Sequence, residues 1–429
     1  MRLYSTNSPD KFVDFGEAVL RSLPSDNGLY MPEHITKLDE GFWNEWRSMS
    51  FHDMAYKVVS TLLQGALPED VLEGIIADAL NFPAPLHKLD DQRYVLELFH
   101  GPTLAFKDFG ARFMARVMAY LTRNDKEDLT VLVATSGDTG GAVASAFLNV
   151  EGTKVVILYP SGGVSDLQEK QLTALGGNIT ALEVEGSFDD CQAMVKAAFL
   201  NQEVSKACNL TSANSINISR LIPQMLYYFE AARQLDKPPV FVIPSGNFGN
   251  LTALLLANRM GLQIGKIVAA TNANDVVPEY LETSEYKPRP SVPTISNAMD
   301  VAAPSNFARM QELFGNDWSA MKKMVSGFSA SDAETRVGMK QVLTDYDYVI
   351  DPHGAIGCLA ADEWLKANPE DVTVILETAH PSKFGDTMVD VLGEDALLIP
   401  DRLACLANEK KVATVMPADA SALLAWLMS

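Results

Sequence analysis

Short apolar runs alternate with helical patterns along the chain from residue 94 onward. Several runs are continuous and rich in β-branched residues, which is typical of strands buried on both faces of a parallel sheet. The predicted strands are Tyr94–Leu98, Thr130–Ala134, Lys154–Tyr159, Ile179–Val184, Val240–Ile243, Lys266–Ala270, Tyr348–Ile350 and Val372–Leu376. Helices are predicted between most of them, at Phe109–Leu121, Gly141–Leu148, Asp166–Leu175, Phe188–Leu200, Leu221–Leu235, Leu251–Met260 and Ala355–Leu365. This alternation predicts an α/β fold with doubly wound sheets.

Two regions depart from the alternation. Residues 1–95 predict a separate, mostly helical N-terminal domain, with its clearest helices at Met54–Gln64 and Pro68–Leu80. The stretch NFPAPLHKLDD (81–91) has two prolines and no clear period, so we predict a linker there. Residues 275–345 begin with a Pro/Ser/Asn-rich loop and continue with helical segments, which predicts an insertion packed on the sheet.

Composition narrows the range of partners. The 429 residues are 47% hydrophobic and 21% charged, which is enough to bury a large core. The chain has 34 Lys and Arg against 55 Asp and Glu, and the net charge of −21 argues against nucleic acid or an acidic membrane surface as a partner. The six histidines have no close ligand spacing, so we predict no metal site. Four scattered cysteines, no leader-like start and no long apolar run predict a soluble cytoplasmic protein.

A single lysine stands at the change from strand to helix in FHGPTLAFKDFG (99–110). Lys107 lies between Phe106 and Asp108, where partial desolvation would favour the neutral, nucleophilic amine of a Schiff-base lysine. The alternative is a surface lysine whose stem covers an apolar helix start, and for one lysine judged by its neighbours this is the commoner case. Whether Lys107 is a Schiff-base lysine or a surface lysine therefore depends on whether other motifs of the chain could form a binding site around it.

Two strand-to-helix turns are suited to anions. TSGDTGG (135–141) combines hydroxyls, glycines and a helix start, which suits a carboxylate, although an ordinary capped helix would look the same. PSGNFGN (244–250) has glycines at 246 and 249 that let backbone N–H groups approach a phosphate. This second turn lacks the lysine of a nucleotide P-loop and the spacing of a dinucleotide motif, so a small phosphorylated cofactor fits better.

Two further segments are weaker when taken alone. NSINISR (214–220), with Ser212 just before it, brings amide and hydroxyl donors and one guanidinium to a helix start, which suits a phosphate or carboxylate; a polar capped loop is the plainer interpretation. ETAHPSKF (377–384) places Thr378 at a strand end. Together, a candidate nucleophilic lysine and three anion sites are what a pyridoxal-phosphate enzyme acting on an anionic amino acid requires.

These motifs, in this order and with GLYMPE (28–33) and SNAMD (296–300), resemble the threonine synthases of the long bacterial and fungal branch. The resemblance covers nearly the whole chain and implies the tryptophan-synthase-β-like, or fold-type II, pyridoxal-phosphate architecture. Residues 96–429 would then form a catalytic region of two interleaved α/β domains, the smaller at roughly 110–235. The implied reaction, the last step of threonine biosynthesis, converts O-phospho-L-homoserine and water to L-threonine and phosphate. We expect a monomer or a homodimer.

The resemblance also implies residue roles. Lys107 matches the lysine that holds pyridoxal phosphate as a Schiff base, and Thr378 matches the residue beside the pyridine nitrogen. The loop for the cofactor phosphate matches Ser245, Gly246, Asn247, Phe248, Gly249 and Asn250. The loop for the substrate carboxylate matches Ser136, Gly137 and Thr139, and the segment for the substrate phosphate matches Asn214, Ser215, Asn217 and Arg220.

Asp138 departs from the pattern of many shorter members, which carry Asn there with its amide on the cofactor's 3′-oxygen. A carboxylate would repel a phenolate-like oxygen unless one of them is protonated or Asp138 turns away, so its role as a cofactor contact stays open. In the implied mechanism the freed Lys107 amine is the base for the α-proton, and Arg220 neutralises the leaving phosphate. We also expect the domains to close over the substrate, because the charged intermediates need a dry pocket.

Three rival functions fit these motifs less well. An amino-acid dehydratase or phospho-lyase of the same fold would release a 2-oxo acid, but NSINISR favours a phosphorylated substrate. A non-catalytic scaffold would not need Lys107 together with all the anion sites. A nucleotide-binding α/β protein would need a P-loop or dinucleotide motif, which the sequence lacks.

Overall fold

The computed structural model describes residues 1–301, 303–406 and 408–429. Its N-terminal part combines an antiparallel sheet of order β2-β1-β3 with four helices. The elements are β1 (Arg2–Ser5), β2 (Ser8–Asp14), α1 (Phe15–Arg21), β3 (Tyr30–Pro32), α2 (Glu40–Glu45), α3 (Phe51–Leu63) and α4 (Glu69–Ala79). The sequence predicts the helices but not the sheet, because β2 is largely exposed and carries no apolar run.

The rest of the chain alternates strands and helices as predicted. Its first half contains β4 (Leu86–Lys88), β5 (Arg93–Glu97), α5 (Lys107–Thr122), β6 (Leu129–Ala134), α6 (Asp138–Phe147), β7 (Thr153–Pro160), α7 (Asp166–Thr173), β8 (Ile179–Glu185), α8 (Phe188–Leu200), α9 (Gln202–Ala207), β9 (Leu210–Ser212) and α10 (Gln224–Ala232). Its second half contains β10 (Val240–Pro244), α11 (Gly249–Arg259), β11 (Ile267–Thr271), α12 (Val276–Thr283), α13 (Phe307–Leu313), α14 (Trp318–Met324), β12 (Val325–Ser329), α15 (Asp332–Tyr346), α16 (Pro352–Ala367), β13 (Thr373–Glu377), α17 (Gly385–Leu392), α18 (Asp401–Ala404), β14 (Thr414–Pro417) and α19 (Ala420–Leu427). Short 3-10 turns lie at Ile218–Arg220, Asn297–Met299, Pro381–Phe384 and Glu394–Ala396.

Two sheets organise these elements. The larger has six strands in the order β12-β11-β10-β13-β5-β4, parallel except for the β4–β5 pair. The smaller has five strands in the order β14-β8-β7-β6-β9, and all its neighbours are parallel. Every residue of β6, β10 and β13 is buried, as their continuous apolar sequences predict for central strands. The predicted doubly wound α/β class is therefore confirmed.

Several details of the topology differ from the prediction, among them β4, which forms within the predicted linker 81–91. Tyr348–Ile350 does not form a strand, whereas β12, inside the predicted insertion, forms the edge of the larger sheet. The sequence of β12, VSGFS, contains a glycine and two serines, and Val325 is its one buried residue, so it lacks the apolar run of a central strand. The C-terminal strand β14 returns to the edge of the smaller sheet, far from residues 110–235 in the sequence.

The N-terminal part packs on the rest of the chain through one continuous core. Residues of α3, α4, α5 and α10 belong to the same buried apolar cluster. Trp43, just inside α2, stacks on Phe229 of α10 with ring centroids 6.2 Å apart. This packing places the turn between β1 and β2, with Thr6 and Asn7, at the edge of a cavity between the two larger sheets. None of the helices described is long and apolar enough to cross a lipid bilayer.

Candidate active site

A cavity of about 490 Å³ lies between the two sheets, where the turns after β6, β9, β10 and β13 meet. Ligands of open α/β sheets bind in this position, beyond the carboxyl ends of the strands. Most of the site residues predicted from the sequence line it: Lys107, Ser136, Asp138, Thr139, Asn214, Ser215, Arg220, Ser245, Gly246, Asn247, Phe248, Gly249, Asn250 and Thr378. Gly137 and Asn217 are not part of its wall.

Lys107 is the first residue of α5 and reaches the cavity with 13% of its side chain exposed. The backbone fixes its position, because the N–H of Phe106 donates to the carbonyl oxygen of Thr378 at 2.8 Å. Burial lowers the pKa of the Lys107 amine to about 8; the charge of Asp138 opposes this shift, and those of Lys383 and Arg220 add to it. A lysine with such a pKa supplies neutral amine near neutral pH, as nucleophilic and base chemistry require.

The turn 244–250 between β10 and α11 forms a cup of backbone N–H groups. Phe248 has a φ of +59°, in the left-handed region that non-glycine residues rarely adopt, and this bend turns the chain into the start of α11. Within the described residues, the N–H groups of 246–250 have no acceptor. The Ser245 hydroxyl donates to Asn250 Oδ1 at 2.6 Å, and Asn250 Nδ2 donates to the Pro244 carbonyl at 3.0 Å. Unpaired N–H groups at a helix start bind anions, phosphate above all.

The turn after β6 is built around Thr135 and Gly137. Thr135 Oγ1 accepts hydrogen bonds from the N–H groups of Gly137 at 3.0 Å and Gly140 at 2.7 Å. Gly137 has a φ of +125°, and a Cβ there would lie 2.6 Å from Cδ of Gln168. Gly137 therefore shapes the turn from behind the wall, while Ser136 and Thr139 face the cavity at the start of α6.

The segment 212–220 joins the other two turns. The Asn214 amide bonds to Ala134 twice: Nδ2 donates to the carbonyl at 2.8 Å, and Oδ1 accepts from the N–H at 3.3 Å. Asn247 Nδ2 donates to the hydroxyl of Ser215, linking this segment to the turn after β10. These bonds hold three loops from both sheets as one wall.

Arg220 brings a buried positive charge to this wall. Its side chain is 3% exposed and donates from one terminal nitrogen to the carbonyl of Ala213. Its Nε is buried and has no hydrogen-bond partner among the described residues. Burial lowers the pKa of Arg220 to about 10, with Asp108 acting in the opposite direction, so the guanidinium stays charged at neutral pH. An unpaired buried donor on a charged group favours an anionic ligand.

Asn217, predicted to bind substrate, does not reach the cavity. Its side chain is fully buried, and Nδ2 donates to the carbonyl oxygens of Val19 at 2.9 Å and Ser212 at 3.2 Å. Its Oδ1 accepts from the N–H and the hydroxyl of Ser219, which caps the turn that carries Arg220. The structure therefore supports a positioning role and not direct binding, because every polar atom of the side chain is already used.

Asp138 faces two lysines. Its Oδ1 lies 2.7 Å from Lys383 Nζ and accepts from Gln168 Nε2 at 2.9 Å, whereas Oδ2 lies 4.0 Å from Lys107 Nζ. Burial alone would raise the pKa of Asp138, but the charges of Lys383 and Lys107 and the bond from Gln168 outweigh it and hold that pKa below its usual range. Asp138 is therefore a carboxylate whose inner oxygen is turned toward Lys383.

Sequence reasoning missed several residues of the cavity wall. They include residues of the N-terminal part (Thr6, Asn7, Asn27 and Gly28), of α8 (Phe188, Gln192, Lys196 and Phe199), Met299 of the turn 297–299 and His353 at the start of α16. GLYMPE marks one of these stretches as a family motif, but nothing in its residue types indicates chemistry. The α8 residues recur every three or four positions, a spacing that any amphipathic helix shows, and two of them, Gln192 and Lys196, are exposed.

The donors of this cavity fit pyridoxal phosphate. The cofactor needs an amine for covalent attachment and an anion cup for its phosphate; Lys107 supplies the first and the unpaired N–H groups of 246–250 supply the second. The cavity keeps a second anion position at Arg220 and a third at 136–139, as a phosphorylated amino acid requires. Its volume of about 490 Å³ is in the range of small-molecule sites.

Comparisons with protein families cover nearly the whole chain. A model described as "Pyridoxal-phosphate dependent enzyme" matches residues 79–378. Models described as "Threonine synthase N terminus" and "Threonine synthase, C-terminal" match residues 2–80 and 354–426. The three matches follow the chain in order, so the same family accounts for the N-terminal sheet, the central turns and β14.

Individual relatives agree with the family models. The chain is 46% identical to a threonine synthase of Haemophilus influenzae over 397 residues, 92% of each chain. Among solved structures, a threonine synthase of Escherichia coli matches with a TM-score of 0.94 and 41% identity, over 100% of this chain and 99% of the other. A threonine synthase of Brucella melitensis, described as bound to pyridoxal phosphate, matches with a TM-score of 0.91 and 35% identity, over 100% and 98%.

Proposed function

The chain belongs to the threonine synthase family of pyridoxal-phosphate-dependent enzymes, and we propose that Lys107 and the turns around it carry out the family's reaction. The reaction converts O-phospho-L-homoserine and water to L-threonine and phosphate, with pyridoxal phosphate as cofactor. The observation that supports the residue assignment is one cavity whose wall includes Lys107, the unpaired N–H groups of 246–250 and the buried guanidinium side chain of Arg220.

Three parts of the wall would hold the cofactor. Lys107 would bind it covalently, and the cup from Ser245 to Asn250 would receive its phosphate. Thr378 would lie beside the pyridine nitrogen, where a hydroxyl can share one hydrogen bond but cannot hold the ring charged as a carboxylate would. When bound, pyridoxal phosphate supplies an electron sink that makes the α- and β-hydrogens of the amino acid acidic.

Two other parts would hold the substrate. Ser136, Thr139 and the start of α6 are suited to its carboxylate, because hydroxyls and N–H groups converge there. Arg220, with Asn214 and Ser215 beside it, is suited to its phosphate. A guanidinium stabilises the charge that develops as phosphate leaves, and its burial makes this effect stronger than in water. One buried cation can therefore bind a dianion in a chain of net charge −21.

Lys107 would also move the protons. Its Nζ, whose pKa burial lowers to about 8, lies in the cavity wall and is suited to take the α-proton of a bound amino acid and to return a proton later. Water must be kept out until it is needed at the β-carbon, and closure of the smaller sheet and the N-terminal part over the cavity would do so. The proposed domain limits stay at 1–95, 96–429 and roughly 110–235; the first limit falls within β5, a strand of the larger sheet.

A product assay tests this function. Purified chain with pyridoxal phosphate is incubated with O-phosphohomoserine, and phosphate, threonine and 2-oxobutyrate are measured together. Equal amounts of phosphate and threonine are expected; 2-oxobutyrate as the main product, released with phosphate and ammonia, would show a deaminating phospho-lyase instead. Cytoplasm remains the proposed location, and monomer or homodimer the proposed state; light scattering after size-exclusion chromatography decides between the two states.

A further inference from the structure

Lys383 is a fully buried lysine that makes its ion pair with a single carboxylate among the described residues. Its Nζ lies 2.7 Å from Asp138 Oδ1 and donates to the carbonyl of Thr103 at 2.8 Å. Lys383 belongs to the turn that follows β13 of the larger sheet, whereas Asp138 begins α6 beside the smaller sheet. Removing two charges from water is costly, and such a pair often adds little to stability, so its position next to the site needs another explanation.

The pair leaves one carboxylate oxygen for the site. Asp138 Oδ1 is occupied by Lys383 and Gln168, and Gln168 is held in turn by the N–H of Ser165, which donates to its Oε1 at 3.2 Å. Oδ2 lies 4.0 Å from Lys107 Nζ. The orientation of Asp138 is therefore set from behind, by residues outside the cavity wall.

Charged groups face the Lys107 amine from several elements. Asp138 on α6 favours its charged form, whereas Lys383 on the turn after β13 and Arg220 on the turn 218–220 disfavour it. The neighbouring Asp108 is turned away and accepts from the N–H of Thr103 at 2.8 Å and from its hydroxyl at 2.7 Å. The cavity wall also contains Lys196, on the exposed face of α8, and His353, whose Nδ1 lies 3.1 Å from Asp351 Oδ1.

We propose that Lys383 is a positioning residue that holds Asp138 as a charged carboxylate beside Lys107 and balances its charge, so that the pair sets the protonation of the catalytic amine. This rests on the proposed function of Lys107. Without Lys383, the Asp138 anion would stabilise the ammonium form of Lys107 and slow cofactor attachment. Without the Asp138 charge, Lys383 would act alone and drive Lys107 toward the neutral amine.

A purely structural tie between the sheets is the alternative. The Ser165 hydroxyl donates to the carbonyl of Lys383 at 2.8 Å, and Gln171 Nε2 donates to the carbonyl of Thr103 at 3.2 Å. Hydrogen bonds other than the Lys383–Asp138 pair therefore also join the segments next to the two sheets. If Lys383 acts as one more such tie, its loss lowers stability and leaves the titration of Lys107 unchanged. The two roles therefore differ in a quantity that can be measured.

The test follows the protonation of Lys107 in the full chain freed of its cofactor. Pyridoxal phosphate is added at a series of pH values, the product is trapped with borohydride, and the modified lysine is located by peptide mass spectrometry. The pH of half-maximal rate is expected to fall by about one unit in Asp138→Asn, where an opposite charge at short range is lost. It is expected to rise in Lys383→Met and to return close to the original value in the double variant.

Each outcome decides one question. Opposite shifts in the two single variants support the proposal; equal midpoints, or shifts of the same sign, overturn it. If Lys383→Met does not fold, as judged by circular dichroism, Lys383→Gln takes its place, because it keeps a polar group for the Thr103 carbonyl and Asp138 while removing the charge, and it must raise the midpoint. Labelling at a residue other than Lys107 in the unsubstituted chain would refute the proposed function itself, a result distinct from unchanged midpoints on a correctly labelled Lys107.

Discussion

The backbone N–H of Phe106 donates to the carbonyl oxygen of Thr378 at 2.8 Å, and this bond joins the start of α5 to the end of β13. An antiparallel bridge between Ala105 and Ala379 flanks it. Lys107 and Thr378 are therefore placed on the cavity wall by main-chain bonds. Their side chains can be changed one at a time without moving the other.

For Thr378→Val we expect the cofactor to stay attached while turnover falls. The substitution keeps the shape and removes the hydroxyl proposed to lie beside the pyridine nitrogen. A neutral hydrogen bond contributes about 1 kcal/mol, so kcat should fall roughly 10-fold or less. Steady-state kinetics and the visible absorption of the lysine-bound cofactor measure the two effects. Thr378→Ser, which keeps the hydroxyl, is the control, and loss of the cofactor from the Val variant would contradict the prediction.

For Lys107→Ala we expect the absorption of lysine-bound pyridoxal phosphate to disappear. The alanine variant removes the amine whose lowered pKa suits covalent attachment. A second lysine of the same cavity wall, Lys196, gives a matched control, and Lys196→Ala should keep the absorption. An unchanged spectrum in Lys107→Ala would reject the assignment of the cofactor lysine.

The sequence predicts the elements of this site better than the contacts between them. Continuous apolar runs locate β6, β10 and β13, because a central parallel strand must be apolar on both faces. The turns that follow such strands carry the ligand-binding residues, so the positions of Ser136, Ser245 and Thr378 on the cavity wall could be predicted.

Long-range contacts could not be predicted in this way. Asn217 and Arg220 lie in one polar motif but have different surroundings. The Asn217 amide donates to the carbonyl of Val19, nearly two hundred residues earlier in the chain, whereas Arg220 lies in the cavity wall. Nothing in HPSKF distinguishes Lys383 from a surface lysine. Its ion-pair partner in the buried state is Asp138, at the start of α6 beside the smaller sheet. Such pairings arise from tertiary packing, which no local pattern encodes.

For Arg220→Ala we expect a selective loss with the phosphorylated substrate. The variant removes a buried, positively charged side chain from the cavity wall. Hydrogen bonds to charged groups contribute about 1.5–3 kcal/mol, so kcat/KM for O-phosphohomoserine should fall about 10- to 100-fold. Arg220→Lys keeps the charge but not the guanidinium geometry and should lose less. Affinity for pyridoxal phosphate, measured by fluorescence titration, should stay near its original value; an equal loss there would refute the assignment.

For Gly137→Ala we expect losses of both stability and activity. The new Cβ would meet the Gln168 side chain at 2.6 Å and would hold a backbone conformation that L-residues rarely adopt. The unfolding free energy should fall by about 1–3 kcal/mol, and displacement of Gln168 should disturb Asp138. Gly176→Ala is the matched control, since its φ is also positive but a Cβ there would meet nothing within 4 Å. Equal losses in both variants would show that contact with Gln168 is unimportant.

A buried acidic group beneath Thr378 gives a prediction on pH. Glu377 is fully buried and shares a hydrogen bond with the Tyr348 hydroxyl, whose single proton also faces Glu97. Burial and the nearby charge of Asp351 hold the pKa of Glu377 well above its usual range. Above the ordinary pKa of glutamate the unfolded chain releases a proton that the folded chain keeps, so Glu377 lowers stability increasingly as pH rises toward its folded pKa.

Glu377→Gln should therefore unfold at a higher temperature than the unsubstituted chain near neutral pH, and the difference should shrink as the pH falls toward about 4, the ordinary pKa of glutamate. Glutamine can still bond to Tyr348 and accept the N–H of Asp351. Glu97→Gln is the control of opposite sign: bonds from His100 and Tyr348 outweigh burial and lower the pKa of Glu97, so its charge adds stability above the ordinary pKa. Thermal unfolding followed by circular dichroism from about pH 5 to about pH 8 compares the two. A Glu377→Gln chain that is less stable at every pH would mean that Glu377 is charged in the folded protein.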